Sequence, residues 1–144
     1  MKRTLILDAG VLTLHFAGDS RVKEYFDEIN DEKAIGLVAG VNLAEYYYKT
    51  CQKQGKQTAD SRYFMVQGSK VRIVNDGVLT RLAGLEKCTQ HLDISSAGAF
   101  ALALAKRERG ILLTTDSELR KLTDVQVKFL KVQPGTYELG KGRI

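Results

Sequence analysis

The fold is decided by the stretch TLILD, from Thr4 to Asp8. Residues that suit a buried strand are followed there at once by a carboxylate. The same order of apolar run and aspartate returns near the other end of the chain in ILLTTD, residues 111–116. The two stretches predict two buried strands, each with an acidic residue at its carboxyl end.

Outward from these two stretches, short apolar runs alternate with segments of helical spacing. Gly10 marks the point where the chain leaves the first strand. Further strands are predicted at residues 34–38, 71–74 and 127–130. Helices are predicted from Asp19 or Ser20 through Ile29, at 42–52 and 58–66, from Asn75 or Asp76 and carrying Val78, Leu82 and Leu85, from Ser95 or Ser96 through Arg107, and at 118–122. This alternation predicts an α/β fold with a parallel sheet covered on both faces.

Three acidic residues are candidates for one site at the carboxyl edge of this sheet, where α/β proteins form their sites. Asp8 and Asp116 each follow a predicted strand, so they belong to the same edge. Glu45 lies about one turn into the helix after the second strand and can point back toward that edge. Each acid alone could equally be a turn residue or a helix cap. Their joint position favours a shared site.

Clustered carboxylates repel one another, and a hard divalent cation resolves that conflict. Magnesium takes oxygen ligands and keeps several waters, so two or three protein carboxylates are enough. Such an ion can activate water and stabilise the charge on a phosphodiester during its cleavage. The acidic residues therefore indicate metal-dependent phosphodiester chemistry.

Four segments resemble, in order, the sequence motifs of PIN domains. They are LILDAGVL at residues 5–12, NLAEYY at 42–47, ISSAGAFALALA at 94–105 and LLTTDSEL at 112–119. Single motifs of this kind are weak, whereas four in order are fairly specific. The length of 144 residues also resembles that of the VapC ribonuclease toxins of toxin–antitoxin pairs.

The resemblance implies one domain over residues 1–144, built as a three-layer α/β/α sandwich around a central parallel sheet. It implies an endoribonuclease that uses Mg²⁺ or Mn²⁺, held by Asp8, Glu45 and Asp116. Thr115 and Ser117, on either side of Asp116, are candidates for supporting this site. The expected partners are RNA, a small antitoxin protein and a second copy of the chain.

Two positions depart from the family pattern. Gly98 stands where the third motif normally has an aspartate, and Gly10 stands where the family usually has a polar residue. Asp93 could replace the missing acid through a water molecule, or it could simply precede or cap the following helix. The first hypothesis is therefore an active nuclease with a reduced acid set. The alternative is a catalytically weakened PIN fold that binds RNA or a protein.

Composition and charge agree with a globular protein that has polyanionic partners. The chain has 44% hydrophobic and 27% charged residues, with a net charge of +5. A basic excess favours nucleic acid or an acidic protein as the partner. Asp8 interrupts the first apolar run too early for a signal peptide, and no apolar run is long enough to span a membrane, so a cytoplasmic protein is expected. Cys51 and Cys88 are expected to be reduced thiols, with a disulfide as the alternative.

Overall fold

The structure, a computed structural model, describes residues 2–132. The predicted domain over residues 1–144 extends beyond them and stays a prediction. The elements in chain order are β1 (Thr4–Leu7), α1 (Ala9–Phe16), α2 (Ser20–Asn30), β2 (Ile35–Ala39), α3 (Gly40–Gln54), α4 (Lys56–Gln67), β3 (Arg72–Val74), α5 (Gly77–Thr89), α6 (Ser96–Glu108), β4 (Ile111–Thr114), a 3₁₀ helix (Leu119–Lys121) and β5 (Gln126–Phe129).

The five strands form one parallel sheet in the order β3-β2-β1-β4-β5. The central strand is β1, where Ile6 is paired with Leu37 of β2 on one side and with Leu112 of β4 on the other. Parallel pairing brings the carboxyl ends of all five strands to one edge. The predicted α/β fold with a central parallel sheet is confirmed.

Helices cover both faces of the sheet because side chains along β1 alternate between two cores. Leu5 and Leu7 face the core that α1, α2 and α3 close. Ile6 faces the core that α5 and the alanine-rich α6 close. The three layers of the predicted sandwich follow from this alternation.

The chain leaves the sheet close to Gly10, as expected, because β1 ends at Leu7 and Gly10 lies in the first turn of α1. The helix predicted from Asn75 or Asp76 is α5, and its residues Val78 and Leu85 are 61% and 48% exposed. The side chain of Asp76 accepts a hydrogen bond from the Leu79 amide and caps the helix, and the helix then turns Leu79 inward.

The remaining features of composition can be placed on this fold. Cys51 is half-buried, Cys88 is exposed, and both are free thiols, as expected. Across residues 2–132, no helix is both long enough and apolar enough to cross a membrane.

Candidate active site

Asp8 joins β1 to α1 and is buried at the carboxyl edge of the sheet, with 7% of its surface exposed. Its carboxylate caps α1 by accepting a hydrogen bond of 2.9 Å from the Val11 amide. It also accepts hydrogen bonds from the Thr114 hydroxyl and, at 3.3 Å, from the Thr115 amide. Asp8 thus caps α1 and also presents a fixed carboxylate, so a role as helix cap does not conflict with a role in a site.

The pKa of Asp8 is raised from 3.8 to about 6, chiefly by burial and to a smaller extent by the negative charge of Glu45. The hydrogen bonds from Thr114, Val11 and Thr115 act in the opposite direction, but they are weaker than the desolvation. A carboxylate held at this cost gains from a nearby cation. Titratable groups with a shifted pKa that lie in a cleft are also typical of functional sites.

Thr114 connects the two aspartates. It is fully buried at the end of β4, and its hydroxyl donates to Asp8 while accepting a hydrogen bond of 3.0 Å from the Asp116 amide. The Asp116 carboxylate in turn accepts from the Glu118 amide at 2.9 Å, which fixes its orientation. Thr114 was not among the predicted site residues. The available signal was a hydroxyl at the buried end of an otherwise apolar strand.

The third acid comes from α3, which begins directly after β2. Glu45 lies in the second turn of this helix and forms an ion pair with Lys49 at 3.2 Å between Nζ and Oε2. One turn earlier, Asn42 is almost fully buried, and its amide nitrogen donates to the Ala97 carbonyl at 3.0 Å. This hydrogen bond ties the start of α3 to the start of α6.

These residues surround a cleft of about 230 Å³. It is lined by Asp8, Ala9, Gly10, Thr13, Asn42, Glu45, Lys49, Ser95, Gly98, Thr115, Asp116 and Leu119. Asp8, Glu45 and Asp116 therefore share one cleft although they are far apart in the sequence. Residues 2–132 nevertheless contain no group of three His, Cys, Asp or Glu side chains arranged to hold a metal ion.

The other predicted site residues are placed less uniformly. Thr115 lines the cleft and donates its amide to Asp8, whereas Ser117 is exposed and does not line the cleft. Asp93 is also exposed, lies outside the cleft lining and precedes the cap of α6. That cap is Ser95, whose hydroxyl accepts a hydrogen bond of 2.9 Å from the Gly98 amide. Neither Asp93 nor Ser117 therefore contributes a side chain to the cleft lining.

Gly10 has a structural cause. A Cβ atom at this position would lie 1.8 Å from Oγ1 of Thr115 and 2.9 Å from its Cβ. The Thr115 side chain thus fills the space that a side chain at position 10 would need. Gly98 differs, because a Cβ there would meet Oγ of Ser95 at 3.2 Å and a methyl group of Leu119 at 3.6 Å. A Cβ atom at position 98 therefore needs the Ser95 side chain to shift by a few tenths of an ångström.

The donor set fits a hydrated divalent cation bound through few protein oxygens. Three carboxylates face one cleft, and burial disfavours the ionised form of Asp8 unless positive charge is present. Magnesium and manganese prefer such oxygen ligands, and magnesium usually keeps several waters. Fewer than three directly bound carboxylates are thus compatible with a metal ion.

Fold and cleft together define an α/β/α protein with an acidic cleft at the carboxyl edge of a parallel sheet. The sequence profile of the PIN domain matches residues 5–125, and the chain belongs to this family, whose members are in general ribonucleases. No curated protein shows a significant sequence match.

Solved structures of toxin–antitoxin proteins share the fold. VapBC2 from Rickettsia felis, bound to a promoter DNA fragment, matches with a TM-score of 0.69 and 14% identity over 88% of this chain and 98% of its own. The sarcin–ricin loop cleaving toxin VapC20 from Mycobacterium tuberculosis matches with a TM-score of 0.64 and 13% identity over 84% and 98%. FitAcB from Neisseria gonorrhoeae matches with a TM-score of 0.63 and 18% identity over 88% and 96%.

Proposed function

We propose that this protein is an endoribonuclease that depends on Mg²⁺ or Mn²⁺ and acts as the toxin of a toxin–antitoxin pair. The observation that carries the proposal is the buried Asp8 carboxylate, which shares a cleft with Asp116 and Glu45 and has a pKa of about 6. Membership of the PIN-domain family supports the same reaction class.

Each residue of the cleft has a separate role in the proposed reaction. Asp8 and Asp116 would hold the ion, and Thr114 links them because its hydroxyl donates to the Asp8 carboxylate and accepts from the Asp116 backbone amide. A bound ion would supply charge neutralisation and an activated water for attack on the phosphodiester. Glu45 faces the same cleft and can accept a proton from that water. Lys49 places a positive charge at the cleft where backbone phosphates would approach.

Partners are proposed from charge and from the related structures. The net charge of +5 favours an RNA substrate. The similar structures include VapBC complexes, in which a toxin of this fold is paired with its antitoxin. We therefore propose a small antitoxin as a protein partner and the cytoplasm as the place of action.

The test is cleavage of a labelled RNA in manganese buffer. Wild-type protein should cut the RNA, and Asp8→Asn should abolish cutting because it removes the charge that holds the ion. Asp31→Asn is the matched control, since Asp31 is an exposed residue at the end of α2 and does not line the cleft. Activity that persists in purified Asp8→Asn would contradict the proposed site.

A second candidate function is favoured by Gly98, which contributes no side-chain ligand, and by the lack, among residues 2–132, of three His, Cys, Asp or Glu side chains arranged to hold a metal ion. Under this alternative, the domain binds RNA or a protein without cutting RNA. The variant Gly98→Asp separates the two functions, because it places an acid at a lining position of the cleft where a Cβ atom meets only side-chain atoms of Ser95 and Leu119. Absence of cleavage by wild type and by Gly98→Asp, with RNA binding retained, would favour the binding module.

A further inference from the structure

Asn42 has a buried polar atom without a partner in the acidic cleft. The residue is 1% exposed and lines the cleft together with Asp8 and Glu45. Its amide nitrogen donates to the Ala97 carbonyl, but its carboxamide oxygen has no hydrogen-bond partner among residues 2–132. Such buried acceptors are uncommon in folded proteins, and a bound ion or water is among the groups that satisfy them.

The orientation of the Asn42 side chain is determined by its surroundings. A carbonyl oxygen can only accept, so the atom that faces the Ala97 carbonyl must be the NH₂ group of Asn42. Turning the amide over would bring two acceptors together at about the same distance. The oxygen is thus the atom left without a donor, and either a donor or a cation has to satisfy it.

The Asn42 side chain contacts the segment where the PIN pattern has an aspartate and this chain has a glycine. Ala97, to which Asn42 is bonded, directly precedes Gly98, and Gly98 lines the same cleft. Asn42 also lies three residues before Glu45, so both side chains project from the same side of α3. Asn42 therefore links the helix that carries Glu45 to the start of the helix that carries Gly98.

We infer that the carboxamide oxygen of Asn42 is a ligand of the divalent cation and takes the role of the carboxylate absent at position 98; this inference rests on the proposed function. Amide oxygens are ordinary ligands for hard cations. The replacement is neutral, so the site carries one negative charge less than it would with an aspartate at position 98. Weaker metal binding follows, and an acid restored at position 98 should make Asn42 dispensable.

The first measurement is the side-chain amide signal of Asn42 in a magnesium titration followed by NMR, on full-length wild-type protein. Ligation through oxygen withdraws electrons from the attached nitrogen, so the signal should shift and saturate together with the signals of the other cleft residues. Backbone assignment identifies the Asn42 signal without any mutation. The same titration on Asp8→Asn should show no saturable shift, because the principal charged ligand is lost.

The second measurement is a double-mutant cycle on the dissociation constant for Mn²⁺, determined by electron paramagnetic resonance. Asn42→Ala should weaken binding by about tenfold in wild type, as expected for loss of a supporting ligand. In the Gly98→Asp background, the same change should have a much smaller effect. Asn42→Ser replaces Asn42→Ala if the alanine variant does not fold, and thermal melting in EDTA monitors folding.

The outcomes separate the two proposals. If wild type binds neither Mg²⁺ nor Mn²⁺ in an Asp8-dependent way, both the proposed function and the role of Asn42 are wrong. If binding depends on Asp8 while the Asn42 signal does not move, only the role of Asn42 is overturned. Equal losses of affinity from Asn42→Ala in both backgrounds would also overturn it, because they indicate a purely structural residue between α3 and α6. A saturating shift and a background-dependent loss support it.

Discussion

At the scale of single residues, the ionisation of Asp8 couples the cleft to the stability of the fold. The folded protein binds the Asp8 proton more tightly than the unfolded chain does, since the pKa is raised from 3.8 to about 6. Below pH 3.8, Asp8 is protonated in both states and its ionisation does not reduce the free energy of unfolding. The free energy of unfolding then falls as the pH rises toward 6, and above pH 6 the whole cost of burying the ionised Asp8 remains.

We therefore expect the metal-free Asp8→Asn variant to gain stability relative to wild type as the pH rises. The difference in free energy of unfolding should grow by about 2 kcal/mol between about pH 4.5 and about pH 7.5. Urea denaturation in EDTA at several pH values measures it. Parallel curves for wild type and Asp8→Asn would show that Asp8 does not titrate in this window.

The Thr115 side chain occupies the space that a side chain at position 10 would need. Gly10→Ala should destabilise the protein by about 1–3 kcal/mol, because the new methyl group has to displace the Thr115 side chain. The three atoms nearest to a Cβ at position 10 all belong to Thr115. In a Thr115→Gly background the same substitution should cost much less. Thermal melting of the two single variants and the double variant gives the coupling, and additive costs would exclude a direct clash.

At the scale of elements, α5 separates what a pattern predicts from what packing decides. Leu79 is 1% exposed and packs in the core with α6, whereas its neighbour Val78 is 61% exposed. Leu79→Ala should cost about 2–5 kcal/mol through the cavity that it leaves. Val78→Ala should stay within about 0.5 kcal/mol of wild type. Chemical denaturation of both variants checks the helix phase, and the reverse ranking would contradict it.

The spacing of apolar residues alone does not reveal which face of α5 is buried. Val78, Leu82 and Leu85 have helical spacing, but Leu79, Ala83 and the buried Glu86 have it too. The inner face includes Glu86 because Lys106 of α6 forms an ion pair with it at 2.7 Å. A charged residue on the buried face contradicts the apolar pattern, and only the partner helix explains it. The positions of the strands along the chain, in contrast, could be predicted because strong apolar runs end in recognisable polar residues.

In the candidate site, too, some residues could be predicted from the sequence and others depend on contacts between elements. Asp8 and Asp116 could be predicted because they follow strands, and Glu45 because it follows one by a single helical turn. Thr114 and Asn42 could not, since their roles depend on hydrogen bonds across elements, to Asp8 and to Ala97. Contacts of this kind leave no periodic trace in the sequence.

At the scale of the whole molecule, exposed apolar residues collect on α3 and α4. Phe64, Met65 and Tyr48 are 61%, 59% and 48% exposed. Beside them lies a groove of about 500 Å³. It is lined by Gly40, Leu43, Ala44, Tyr47, Asp60, Tyr63, Phe64, Ile73 and Asn75. Tyr46, which also lies on α3, does not contribute to this surface because it is buried in the core. Exposed apolar area of this kind is typical of a protein interface.

The last prediction is that this surface joins two copies of the chain around a two-fold axis, as the family resemblance also implies. Phe64→Glu should shift the protein from dimer to monomer, because two buried carboxylates would face each other or lose water across the axis. Val78→Glu is a closely matched control, since Val78 has the same 61% exposure but lies on α5. Light scattering at high micromolar concentration measures the mass of wild type and both variants, and melting curves confirm that each variant is folded. A wild type that remains monomeric would refute the dimer, whereas a dimer that survives Phe64→Glu would place its interface on another face of the domain.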